Sequence, residues 1–194
     1  MNDNFEILFN YVRLLVDIPK IDQDLCRKYF KPFSATKGEI IESSGKVPQY
    51  HNFIVSGFMR NFYSNELGQE IITDINDGPR FFTSYNHFMH RTPSNENLQC
   101  ITDCELLRIK RDDVDITAKL GITQMEYTVQ ILQQQLEKNK QRIIDHATLS
   151  AEQRYVKLQK EYPSIIQNIP LKYIASYLGI NPGSLSRIRN ELVK

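Results

Sequence analysis

The period at which apolar residues recur changes along the chain, and each change marks a different kind of element. Phe5, Leu8, Phe9, Val12, Leu15 and Val16 fall three or four apart, the spacing that turns one face of a helix toward a core. A second short helix is expected over 21–30, opened by Asp22. From Lys31 to Lys110 short β-rich runs alternate with turn residues. Runs over 38–42, 50–55, 58–63, 69–75, 97–102 and 104–109 are closed by Ser43-Ser44-Gly45, Ser56-Gly57, Asn65-Glu66-Leu67-Gly68, Asn76-Asp77-Gly78-Pro79 and similar breaks. Strands this short, with turn signals every roughly 8–12 residues, predict an antiparallel sandwich or roll.

Helical texture then returns. Ile122, Met125, Val129, Leu132, Leu136, Asn139 and Ile143 are spaced alternately three and four apart, with Gln, Glu, Lys and Arg between them. A strict 3.5-residue repeat favours a partner helix over packing on the chain's own domain, and a polar residue such as Asn139 in the seam fixes register. These seven residues are the expected homodimer interface, with Ile131 and Ile144 off the seam and free to touch the β-rich region. Ser150 and Gln153 form a capping box for a further helix over 151–162, which Pro163 closes. The expected division is 1–120 for the β-rich domain with its flanking helices, 121–146 for the seam helix and 147–194 for a terminal domain.

The last stretch carries the sharpest signal. Pro170 suits the first turn of a helix in which Ile174 and Leu178 lie one turn apart. Gly179 can take the positive φ that ends it, and Asn181 can cap a second helix that begins at Pro182 and has Leu185, Ile188 and Leu192 as its stripe. Two short helices, a glycine turn and the small Ala175 where they cross make a helix-turn-helix. Ser184, Ser186, Arg187, Arg189 and Asn190 remain outward on the second helix. Hydroxyls, guanidiniums and an amide are the groups that reach base edges and phosphates in a major groove, so these five are the candidate DNA-binding residues.

Composition changes this picture little. Of 194 residues, 41% are hydrophobic and 24% charged, enough apolar material for a packed core. The net charge is only +1, but from His146 onward seven basic side chains against three acidic give +4 and leave −3 for the rest. A basic end on a slightly acidic body suits phosphate contact at that end. Cys26, Cys100 and Cys104 are too few and too scattered for a disulfide framework and read as reduced thiols. No apolar run reaches the roughly 18 residues that span a bilayer, and the first residues lack the pattern of a secretion signal, so the expected location is the cytoplasm and no membrane partner is expected.

The order of β-roll, seam helix, capped helix and terminal helix-turn-helix resembles the Crp/Fnr family of transcription regulators over essentially the whole chain. The run Ile174-Ala175-Ser176-Tyr177-Leu178-Gly179-Ile180, followed by Ser184-Leu185-Ser186-Arg187-Ile188-Arg189, is similar to its DNA-reading motif, and the turns at Lys37-Gly38-Glu39, Gly57 and Gly68 to its cyclic-nucleotide-binding-type roll. The resemblance implies an α+β fold: an antiparallel double-stranded β-helix or jelly roll with flanking helices, a long dimerisation helix and a C-terminal helix-turn-helix of the winged type. It implies a homodimer on double-stranded palindromic DNA, RNA polymerase as a further partner, and a small-molecule effector in the roll.

The chain departs from that pattern in three places. Thr83-Ser84 stands where cyclic-AMP-binding members carry Gly-Glu, and Ser94 near where they carry an arginine, so cyclic AMP is not the expected effector. Pro182-Gly183 replaces an Arg-Glu pair that reads bases, and the sequence stops at Lys194 without the usual wing. The expected effector pocket is Phe82, Ser84, Tyr85, Arg91 and Ser94, with no cofactor, no metal and no catalytic residue. Two other readings compete. A cupin-like metal enzyme would need clustered His and carboxylate ligands, which His87 and His90 alone do not supply, and an effector-binding module without DNA binding would lack Arg187 and Arg189.

Overall fold

The computed structural model describes residues 3–76 and 78–192; Asp77 and Lys194, both named above, lie outside these. Helix α1 (Asn4–Arg13) is capped by the Asp3 carboxylate and buries Leu8, Phe9 and Val12, the face its spacing predicts. Helix α2 (Lys20–Tyr29) follows, with Pro19 rather than Asp22 at its N-cap. Asp22 instead lies buried and binds far along the chain. Its carboxylate accepts from the Ile122 and Thr123 amides at 2.9 and 2.8 Å and from the Thr123 hydroxyl at 2.5 Å.

The roll consists of two four-stranded antiparallel sheets. One has the order β1 (Lys31–Ala35), β8 (Cys104–Lys110), β3 (Tyr50–Ser56) and β6 (Arg80–Phe81). The other has β2 (Ile40–Glu42), β7 (Asn97–Cys100), β4 (Met59–Ser64) and β5 (Glu70–Ile75). One core joins Phe53, Phe81, Leu107 and Ile109 to the buried face of α1, and another lies between the sheets around Ile54, Met59, Leu98 and Leu106. Fully burying each such side chain contributes roughly 1.5–3 kcal/mol before ordering costs. Gly57 turns β3 into β4 at φ +94°, where a Cβ would stand 2.4 Å from the Asp103 carbonyl oxygen. The three cysteines are buried free thiols.

Helices α3 (Tyr85–His90) and α4 (Arg111–Leu120) flank the roll and were not anticipated, nor was β1. Helix α5 (Gln124–Thr148) is the seam helix. Ile122 precedes its first turn, so the seam as a helical stripe begins at Met125 rather than Ile122. The reason is the Asp22 carboxylate, which holds the amides at 122 and 123 and sets the entry of the helix. Ile131 packs against the core around α1, while Ile144 is left largely exposed.

Helix α6 (Ala151–Glu161) starts at the predicted capping box, with both Ser150–Gln153 hydrogen bonds present. Pro163 closes it and also opens an unanticipated helix, α7 (Pro163–Asn168). Helices α8 (Leu171–Leu178) and α9 (Pro182–Leu192) complete the terminal bundle. The bundle is docked on the roll: Ile174, Ala175, Leu178 and Leu185 share a core with Phe62, Ile72 and Ile75 of β4 and β5. At that junction Arg60, 2% exposed, lies between the rings of Phe62 and Tyr173, 4.1 and 4.0 Å from their centroids, and pairs with Glu70 at 2.6 Å.

Candidate nucleic-acid interface and effector pocket

Helices α8 and α9 meet through the glycine turn that their sequence demands. Gly179 has φ +66°, and the Ile180 amide donates back to the Ala175 carbonyl at 3.0 Å, closing the C-terminus of α8. Asn181 caps α9, its Oδ1 accepting from the Gly183 and Ser184 amides at 2.7 and 3.3 Å. Pro182 occupies the first helical position, whereas Pro170 is the N-cap residue of α8 rather than part of its first turn. Ala175 and Leu185 are fully buried at the crossing. Leu192 departs from the expected stripe and is 43% exposed, because it lies beyond the reach of α8 at the end of α9. His146 at the foot of α5 packs against the turn, its ring 2.9 Å from where a Cβ on Gly179 would be, and Arg154 donates to the Leu178 carbonyl at 3.2 Å.

The outward face of α9 carries Ser186, Arg187, Arg189 and Asn190 in exposed positions, and Ser184 half-buried at its start. The Ser186 hydroxyl donates to the Pro182 carbonyl at 3.1 Å, so it faces solvent with its acceptor lone pairs. Along α5, Met125, Val129, Leu132, Leu136 and Ile143 form an apolar stripe between 41% and 70% exposed, with exposed Asn139 in the same stripe.

Between the roll and α5 lies a cavity of about 500 Å3. Phe82, Ser84 and Tyr85 line it, as expected. Arg91 does not: it ends α3 at φ +53° and pairs with Asp112 at 2.6 Å on the surface. Ser94 is buried behind the wall, where its hydroxyl donates to Ser84 Oγ at 3.1 Å. The lining that sequence reasoning missed comes from elsewhere: Asn61, Tyr63, Asp74, Arg80 and Glu96 from the roll, and Tyr127, Ile131, Leu132 and Arg142 from α5. No local pattern marks these residues, because their nearness depends on sheet pairing and on how α5 crosses the roll.

Burial sets the protonation of two groups here. His51, half-buried in the cavity wall and 4.6 Å from the Phe81 ring, is held neutral, its pKa pushed down to about 3 by desolvation. Glu42 is pushed up to about 7 by burial, partly offset by hydrogen bonds from the Ser84 backbone and the Thr83 side chain. The Ser84 amide donates to Glu42 at 3.2 Å, and the Ser84 hydroxyl to Glu96 at 2.8 Å. Both Ser84 donors are thus spent on the chain's own carboxyl groups. Among the described residues, no three His, Cys, Asp or Glu side chains are grouped to hold a metal ion, and no helix is long and apolar enough to cross a membrane.

Residues 32–118 match the family model of the cyclic nucleotide-binding domain. No curated protein matches the chain significantly. Among solved structures, FixK2 from Bradyrhizobium japonicum aligns with a TM-score of 0.71 at 18% identity, covering 84% of both chains. The c-di-GMP-responsive global regulator CLP from Xanthomonas campestris aligns with a TM-score of 0.70 at 13% identity, over 88% of this chain and 90% of its own. A CRP/FNR-family transcriptional regulator from Thermus thermophilus aligns with a TM-score of 0.68 at 15% identity, over 84% of this chain and 86% of its own. At such identities the likeness is one of fold. The chain therefore has the fold of the CRP/FNR transcription regulators, with a cyclic nucleotide-binding-type domain over residues 32–118 and a C-terminal helical domain.

Proposed function

We propose that this protein is a sequence-specific DNA-binding transcription regulator, acting as a homodimer through α5 and reading palindromic DNA with α9. The observation that carries the reading is the exposed face of α9, where Arg187, Arg189 and Asn190 project from a helix held by a glycine-turn crossing. Two-fold pairing along α5 would set the two copies of α9 in successive major grooves, about 34 Å apart. The cavity between the roll and α5 is the effector site in this reading, and cyclic AMP is not its ligand, because the Ser84 donors are taken internally. The protein works through DNA, with RNA polymerase as a downstream partner, and not as an enzyme.

Binding-site selection from random DNA, followed by salt titrations, tests the reading. Arg187→Ala is expected to cost about 1–3 kcal/mol on the selected site and to flatten discrimination at one base pair, since a guanidinium bridges two acceptors of guanine. Arg189→Ala is expected to weaken all sequences evenly and to lower the salt slope by about one unit, as a phosphate contact does. Folded dimers that select no sequence, or that bind DNA unchanged in both variants, would remove α9 as the reader.

A further inference from the structure

One wall of the cavity has chemistry that the chain does not complete. Asn61 of β4 is paired across the ladder with Asp74 of β5, and Glu96 stands just before β7, the other neighbour of β4. The Asp74 carboxylate is matched by Arg80. Glu96 accepts from the hydroxyls of Ser84 at 2.8 Å and Thr73 at 3.3 Å, with the Tyr63 hydroxyl also turned to it, and among the described residues no ion pair joins it to a basic side chain. Asn61 is 8% exposed, yet its Oδ1 accepts no hydrogen bond. A buried acceptor without a donor is costly, and the residue that carries it lines the cavity.

The Ser84 donors and the two arginines of the same cavity are already engaged. Glu42 takes the Ser84 amide and Glu96 the Ser84 hydroxyl. Arg80 is paired with Asp74, while Arg142 donates to the Thr73 carbonyl and lies over the Tyr177 ring at 5.4 Å. An entering phosphate or carboxylate would displace these bonds and face the Glu96 charge. The cavity is also lined by Ile131 and Leu132 of α5 and by the largely buried rings of Phe82, which Arg80 overlies at 4.8 Å, and Tyr127.

We propose that the cavity takes an organic cation, a protonated amine or amidine on an aromatic body. Its head lies against the Glu96 carboxylate and Asn61 Oδ1, and its ring against Phe82 and the α5 side chains Tyr127, Ile131 and Leu132. The proposal rests on the reading of this cavity as the effector site and names the class of effector. A cation with directed N–H groups supplies the missing counter-charge and the missing donor at once.

Titration calorimetry on the full chain, with tryptamine and indole-3-propionate as probes, tests it: the two share a ring and differ in the charge of the head. Tryptamine is expected to bind, and indole-3-propionate to bind about ten-fold more weakly or less. Glu96→Gln and Asn61→Leu are each expected to weaken tryptamine by about ten-fold with the thermal transition retained. Should either variant fail to fold, Asn61→Asp decides, since it keeps both acceptor positions: tryptamine binding persists and indole-3-propionate weakens further. Equal binding of the two probes, preference for the acid, unchanged tryptamine affinity in Glu96→Gln, or no heat from tryptamine or benzamidine at millimolar concentration overturns the proposal. Selection of DNA in the absence of any probe is read separately. Amine binding without DNA selection removes the regulator and leaves the ligand class, and DNA selection without amine binding does the reverse.

Discussion

Desolvation acts on Glu42, buried, and His51, half-buried, with opposite consequences for the proton balance of folding. The folded pKa of His51, about 3, lies below its ordinary 6.5, so the unfolded chain takes up a proton first and stability falls as pH drops below 6.5. The folded pKa of Glu42, about 7, lies above its ordinary 4.5, so the folded chain holds the extra proton and stability rises as pH drops from 7 toward 4.5. Between pH 6.5 and 4.5 the two effects oppose each other. Glu42→Gln removes one of them. The variant is expected to lose stability relative to the wild type by about 1.4 kcal/mol per pH unit on descending through that window. Urea unfolding of both proteins across it checks this, and parallel profiles would show that Glu42 does not titrate there. Neither group was legible as special in the sequence, since a lone His and a lone Glu in strands carry no local sign of how deeply they lie.

Elements whose stabilising contacts are local were legible. The capping box at Ser150 and Gln153, the glycine turn at Gly179 and the cap at Asn181 each act over a few residues, and each forms as the spacing predicts. Those that depend on distant partners were not. The strand β1 exists because β8 pairs with it over five residues, and α3 is too short to show a period. Asp22 reads locally as the cap of α2, but its partners lie about a hundred residues away at the entry to α5. Asp22→Ala is therefore expected to destabilise the fold by about 2–3 kcal/mol, the worth of charge-assisted hydrogen bonds from a buried carboxylate to part-buried amides, rather than the smaller loss of a surface cap. Denaturant unfolding measures this directly. The stripe on α5 makes the complementary claim about an apolar face left exposed among the described residues. Leu132, 41% exposed, lies at its middle, and Leu132→Glu is expected to give monomers by placing facing carboxylates in a dry seam. Sedimentation of both proteins at micromolar concentration decides, and a monomeric wild type would end the dimer reading.

The whole molecule is held together at the contact between the roll and the terminal bundle, and that contact was invisible in the sequence. The candidate recognition helix could be found by its own pattern, whereas the cavity wall and the Arg60 junction are assembled from strands and helices far apart in the chain. Arg60 stacks on one ring from each side of the junction. Arg60→Ala is expected to cost about 3 kcal/mol and to lower the thermal transition, because a buried guanidinium packed between Phe62 and Tyr173 and bonded to Gln99 is lost from the junction. Calorimetry showing one unshifted transition would count against this. Ser176 closes the same junction in another way. Its hydroxyl accepts from the Ile72 amide at 3.0 Å and donates to the Glu70 carbonyl at 3.2 Å, both on the side of β5 turned away from β4. Since β5 is the outermost strand of its sheet, a helix side chain stands where the next strand would pair. If the bundle swings away, an unpaired β edge is laid bare, open to a strand from another molecule. Undocking therefore carries a hazard of its own: self-templated aggregation at the β5 edge, which any motion that frees the bundle must outrun or cover.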